Sequence, residues 1–136
     1  MKKLDYANLQ FEKDGWSSYS SYGLSKLLVL MFTRAFRHLN LTGSGSTGTT
    51  LINMDPGTVN TKMLLAGWGK CGIDVDEATD TFRLATEDQF ANPSDVPKYY
   101  VGLKETHPTK QVGEEAECKK LYEYLSSLTE KYAGEK

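Results

Sequence analysis

Apolar residues are packed most densely between Leu24 and Phe36, where they occur almost all the way round a helical wheel. That pattern predicts a buried helix rather than a surface one, spanning Ser18 to Asn40. Ser17, Ser18, Ser20 and Ser21 stand at its start, where short hydroxyl side chains can accept the first free N–H groups. Arg34, Arg37 and His38 gather near its end, where cations complement the helix dipole. A Gly/Ser/Thr loop, Thr42 to Gly48, leads to a strand-like run, Thr49 to Met54, stopped by Asp55-Pro56-Gly57. Thr61 to Gly69 reads as a loop or short helix with an apolar face of Met63, Leu64, Leu65 and Trp68. Asp74 and Glu77 have capping-box spacing and open a helix that runs through Phe82 and Leu84 to about Asp88. Tyr99 to Gly102 reads as a second strand. Glu114 to Tyr132 reads as a last helix, with Leu121, Leu125 and Leu128 on one stripe that Tyr132 extends. Helix, strand, helix, strand, helix is an α/β order.

The chain has 136 residues, one domain at most. Sixteen basic and eighteen acidic side chains are spread along its length, for a net charge of −2. No basic patch points to nucleic acid and no acidic tail points to a charged partner. The longest apolar run, Leu27 to Phe32, lies between Lys26 and Arg34 and is far short of the roughly 20 residues a transmembrane helix needs. Met1-Lys2-Lys3 leads into Leu4-Asp5-Tyr6 without an apolar stretch, so no secretory signal is expected. Cys71 and Cys118 give no disulfide framework, and with His38 and His107 they match no zinc spacing. Reduced thiols in an intracellular, cytoplasmic protein are the expectation.

Two patterns carry candidate chemistry. Tyr22 and Lys26 are four residues apart on the predicted first helix, so they share a face one turn apart. An ammonium beside a phenol stabilises the phenolate, which makes the pair a candidate acid/base centre. Taken alone, Y-x-x-x-K also occurs wherever a partly buried Tyr neighbours a solvated Lys. Gly43-Ser44-Gly45-Ser46-Thr47-Gly48 matches G-x-G-x-x-G. A phosphate-cradling loop must follow a strand and open a helix, whereas this one follows a helix and enters a strand. It is expected to be a connection only.

With the Tyr22/Lys26 helix, the strand ending in Pro56-Gly57 with Val59 and Thr61 beyond, and the late Lys98-Tyr99-Tyr100-Val101 strand, the chain resembles the short-chain dehydrogenase/reductase family from about Leu4 to Tyr132. The Leu4 to Leu9 opening and the late strand look most like the branch that contains retinol dehydrogenases. The resemblance implies the C-terminal part of a Rossmann-type, doubly wound parallel sheet and an NAD- or NADP-dependent interconversion of an alcohol and a carbonyl. Tyr22 would exchange the proton with the substrate. Lys26 would stabilise the Tyr22 phenolate and bond the nicotinamide ribose. Pro56, Gly57, Val59 and Thr61 would line the nicotinamide side, with Val59 backbone groups on the carboxamide and the Thr61 hydroxyl on the carboxamide or a phosphate. Met63, Leu64 and Trp68 fall where the family's variable substrate lid lies, which favours a small apolar alcohol or carbonyl compound. Ordinary core packing of a short helix is the equal alternative for that segment.

The family's glycine-rich nucleotide-binding half, and the catalytic Ser and Asn ahead of the Tyr, have no counterpart in the roughly twenty residues before Tyr22. The resemblance therefore covers a C-terminal half, 1–136 being a partial domain, and unaided catalysis is not expected because hydride transfer needs an oriented cofactor. An isolated chain of this kind is expected to be marginally stable or to depend on a partner surface. The alternative is a non-catalytic product that forms a homo- or heterodimer through helix 20–40. A third possibility is an unrelated small α/β binding domain.

Overall fold

The computed structural model of the chain describes residues 3–40, 49–91 and 96–134. The fold is mixed α/β, and its contacts divide it into two compact units, Met1–Asn40 with Pro108–Lys136, and Leu41–His107. The glycine motif 43–48 lies outside the described residues.

The first unit is built on α1, Ser18–Asn40. Two serines start it by exchanging hydrogen bonds. Ser20 N–H donates to Ser17 Oγ at 3.0 Å, and Ser17 N–H donates to Ser20 Oγ at 3.1 Å. This is capping-box logic with a hydroxyl in place of the usual Glu. Met31 and Ala35, one turn apart, form the buried stripe. Val112 of α4 (Lys110–Gly113) and Cys118 and Leu121 of α5 (Glu115–Ala133) complete a core with them, together with Leu9 from the N-terminal segment. Tyr6 packs edge-on to Tyr124 at 5.3 Å, Phe32 stacks on Tyr122 at 5.4 Å, and His38 Nε2 meets Glu115 Oε1 at 3.4 Å.

The expectation of an all-round buried helix is corrected here. One face of α1 is covered by helices and the N-terminal segment, while Tyr19, Tyr22 and Val29 are exposed. The α5 stripe likewise holds at Leu121 and Leu125 and is open to solvent at Leu128 and Tyr132.

The second unit holds a three-stranded sheet in the order β1-β2-β3: β1 Ile52–Asp55, β2 Lys98–Val101 and β3 Lys104–Thr106. β1 and β2 are parallel, with Met54 opposite Tyr100, while β2 and β3 are antiparallel. β3 was not expected, because Lys104-Glu105-Thr106 has no apolar alternation. Gly102, at φ +58°, makes the reversal that lets it pair. The helix expected over 74–88 is also corrected. A 3₁₀ turn, Val75–Glu77, ends at Ala78, and a separate helix follows: α3, Asp80–Thr86. Glu77 accepts from Asp74 N–H at 3.1 Å as its spacing implies, but the Ala78 backbone (ψ +59°) breaks the helical path. Phe82 points outward, while Leu84 is buried. A second 3₁₀ turn, Asp88–Phe90, sets Phe90 edge-on against buried Tyr100 at 5.7 Å.

Leu121 has no exposed surface and sits against Met31 and Cys118, so Leu121→Ala should cost about 2–5 kcal/mol of unfolding free energy. Leu128→Ala, on the open part of the same stripe, should cost under about 1 kcal/mol. Urea denaturation followed by circular dichroism checks both; equal losses would contradict this account of the α5 stripe.

Candidate functional site

In the first unit, the helical repeat brings Tyr22 and Lys26 together as expected. The Lys26 ammonium lies over the Tyr22 ring, 5.3 Å from its centroid. Tyr22 is 63 % exposed, so its hydroxyl is open to solvent or a ligand. Ser25 is turned away from it, its hydroxyl donating to Tyr22 O at 2.7 Å as a local helix contact.

In the second unit, Pro56, Gly57, Val59 and Thr61 occupy one loop whose backbone is fixed residue by residue. Gly57 has φ +72°, which a side chain would strain, and its N–H donates to Asp55 Oδ1 at 2.8 Å. Val59 forms a parallel bridge with Ile73, and Asn60 N–H donates to Ile73 O while Ile73 N–H donates to Thr58 O. The Val59 carbonyl accepts from Thr61 N–H at 2.7 Å, and among the described residues its N–H has no acceptor. Thr61 caps α2 (Lys62–Trp68): its Oγ1 accepts from Leu64 N–H at 3.3 Å, which leaves the hydroxyl hydrogen free to donate.

α2 carries the three candidate substrate residues. It has no buried residue: Met63 and Trp68 are each 75 % exposed, and Leu64 is half-buried. Met63 and Trp68 therefore take no part in core packing, while Leu64 is partly covered.

Sequence reasoning missed the residue that holds the loop. Asn60 is almost fully buried, and its amide makes four hydrogen bonds. Its Oδ1 accepts from Cys71 N–H at 3.2 Å and Gly72 N–H at 2.9 Å, while Nδ2 donates to Gly72 O at 2.6 Å and Asp74 Oδ1 at 3.1 Å. Two donors and two acceptors exhaust what an asparagine amide has. Gly72 is the other half of the clamp. A Cβ there would lie 2.2 Å from Thr58 O, so only glycine lets the two strands of the loop close. No local pattern marks either residue, because each finds its partner more than ten positions away.

The Asp74 carboxyl is held below its ordinary range, first by Lys70 Nζ, which donates at 3.1 Å, and then by Asn60. Cys118 lies in the first unit's core, where burial pushes its thiol up, and its Sγ donates to Val112 O at 3.5 Å. Cys71 is exposed on the clamped loop. Among the described residues no cluster of His, Cys, Asp and Glu could hold a metal ion, and no helix is long and apolar enough to cross a membrane.

Comparison with known protein families, curated proteins and solved structures finds no match to this chain.

Gly72→Ala should open the clamp. Its cost should be at least about 2 kcal/mol, with faster amide exchange at Asn60 and Ile73 in the folded protein. Unchanged exchange at those two amides would show that the loop does not depend on the close approach. Because Asp74's folded value is depressed, its contribution is present above about pH 4 and is lost as pH falls through the lower folded value. An NMR titration of the Asn60 side-chain amide should report that transition, and Asp74→Asn should abolish it.

Proposed function

We propose that this chain is the C-terminal half of an NAD(P)-dependent short-chain dehydrogenase/reductase that interconverts a small apolar alcohol and its carbonyl. The observation that carries the reading is the Tyr22–Lys26 pair: an exposed phenol with an ammonium over its ring, on one face of α1. The nicotinamide loop adds support. Val59 offers an unused N–H and Thr61 an unused hydroxyl hydrogen, both on a backbone that Asn60 holds still. The parallel β1–β2 pair, joined through helical segments, is compatible with part of a doubly wound sheet.

On this reading Tyr22 delivers a proton to the carbonyl oxygen during reduction and removes it during oxidation. Lys26, with its ammonium over the Tyr22 ring, would hold the nicotinamide ribose beside the phenol. The nicotinamide supplies the hydride when bound. Val59 and Thr61 orient its carboxamide, and α2 presents Met63, Leu64 and Trp68 to an apolar substrate. The pyrophosphate-binding half is not represented in these residues, so this chain by itself is inactive in the proposal.

The test is to express the chain together with any in-frame coding sequence that transcript mapping places ahead of it. The extended protein should oxidise apolar alcohols with NAD or NADP, and Tyr22→Phe should lower kcat about 10²–10⁴-fold. Lys26→Ala should be impaired as well. An extended enzyme whose Tyr22→Phe form keeps full turnover would remove this assignment.

A second reading rests on a different observation. Tyr19 (90 % exposed), Tyr22 and Val29 (56 % exposed) lie on one side of α1 with Lys26 between them. A non-catalytic chain could use that face to associate with a full-length relative. Retained binding to such a partner by the Tyr22→Phe form, with loss on Val29→Lys, would favour it.

A further inference from the structure

Among the described residues β1 is one of the two edge strands of its sheet, and the hydrogen-bond pattern identifies which of its backbone groups are spare. Gly102 N–H donates to Asp55 O at 2.9 Å, so the Asp55 backbone faces β2. In a strand, alternate residues point their N–H and C=O to the same side, so Asn53 also faces β2, while Ile52 and Met54 face outward. Among the described residues no strand pairs with that outer edge, and the outward N–H and C=O groups of Ile52 and Met54 find no partner.

The two edges of the sheet differ. β3 presents Lys104 and Glu105, the charged type of residue that discourages further pairing. β1, with Ile52, Asn53 and Met54, has no such guard before Asp55. A groove of about 560 Å³ runs beside it, lined by Thr50, Ile52 and Met54 from the strand side and by Leu84, Ala85 and Phe90 from α3 and the turn after it. Met54 Sδ accepts from Thr81 Oγ1 at 2.9 Å, which places the even-numbered side chains of β1 on the α3 face.

We propose that this edge joins two copies of the chain, β1 against antiparallel β1, into a continuous six-stranded sheet. The register is self-complementary. A two-fold axis through Asn53 sets Ile52 opposite Met54 of the second copy and Met54 opposite its Ile52. Both outward residues then exchange N–H···O=C bonds. Asp55 falls opposite Leu51 rather than opposite another Asp55. Asn53 meets its own copy across the axis in the closer, non-hydrogen-bonded position. Its side chain is half-buried and makes no hydrogen bond to a described residue, so the second amide gives it a partner. Ile52 and Met54 of the second copy add apolar side chains to the α3 face of the joint sheet, alongside the groove. This edge belongs to the second unit, whereas the α1 face belongs to the first. On the dehydrogenase reading a further strand of the sheet would pair at the same edge, so the dimer is proposed for the 136-residue chain by itself.

The experiment is sedimentation equilibrium of the full chain from about 10 μM to about 1 mM, paired with residue-resolved amide exchange over the same range. The mass should move from monomer toward dimer. The Ile52 and Met54 amides should gain protection with concentration, while those of Asn53 and Asp55 stay protected throughout. Asn53→Asp sets two carboxylates face to face and should raise the dimer Kd at least about tenfold, whereas Val29→Lys should leave it unchanged. A chain that stays monomeric to about 1 mM overturns the proposal. So does a dimer in which Ile52 and Met54 gain no protection, or one that Val29→Lys dissolves and Asn53→Asp does not.

Discussion

Asn60 closes the 58–74 loop because one amide can satisfy three backbone groups and a carboxylate at once. A chain that leaves regular structure must still find partners for its N–H and C=O groups wherever it is shielded from water. In the second unit the strands are only three and four residues long, so the sheet ladder meets little of that demand. The loop meets it with side chains: Asp55 on Gly57, Asn60 on Cys71 and Gly72, Glu77 on Asp74. Gly72 is the steric condition for all of this, since its missing Cβ leaves room for Thr58 O. The Pro56–Thr61 backbone and the base of α2 are therefore set by polar geometry, and apolar burial has little part in holding them.

The first unit solves the same accounting differently. Ser17 and Ser20 satisfy each other's N–H groups, and behind them the helical ladder runs unbroken for twenty-three residues. Apolar burial is the main cohesive term here, with Met31, Ala35, Cys118 and Leu121 meeting between α1 and α5. The two candidate half-sites thus have different physical supports. Tyr22 and Lys26 are brought together by the helix repeat alone, and the Val59–Thr61 backbone is positioned by Asn60.

What could be read in the sequence follows from that difference. α1 was legible in extent, since its serines, its apolar interior and its basic end are all local signals. α5 and the cores of β1 and β2 were legible for the same reason. β3 was not, because Lys104-Glu105-Thr106 gains its strand character only from pairing with β2. The 74–88 segment misled because capping spacing says where a helix starts and nothing about where it stops. Of the candidate site, the Tyr22–Lys26 proximity followed from spacing, and Thr61 was named for its hydroxyl before its capping role was visible. Asn60 and Gly72 were illegible in principle, since an asparagine or glycine in a loop is ordinary until its distant partner is known.

Uncovered apolar side chains occur on most elements, Phe82 of α3 and Tyr132 of α5 among them, and two groups of them have distinct supports. Met63 and Trp68 sit on α2, whose base is clamped, and Tyr22 and Val29 sit on the outer side of α1. A clamped base matters for such a helix: ordering entropy has already been spent within the fold, so a ligand meeting Met63 and Trp68 need not supply it. The same reasoning applies to β1, whose spare N–H and C=O groups are already held in extended geometry by pairing with β2 on the other side. Pre-ordered, unsatisfied groups bind more readily than mobile ones. That is why recognition in this chain should concentrate at α2, the exposed face of α1 and the outer edge of β1, and not along the polar flank that β3 presents.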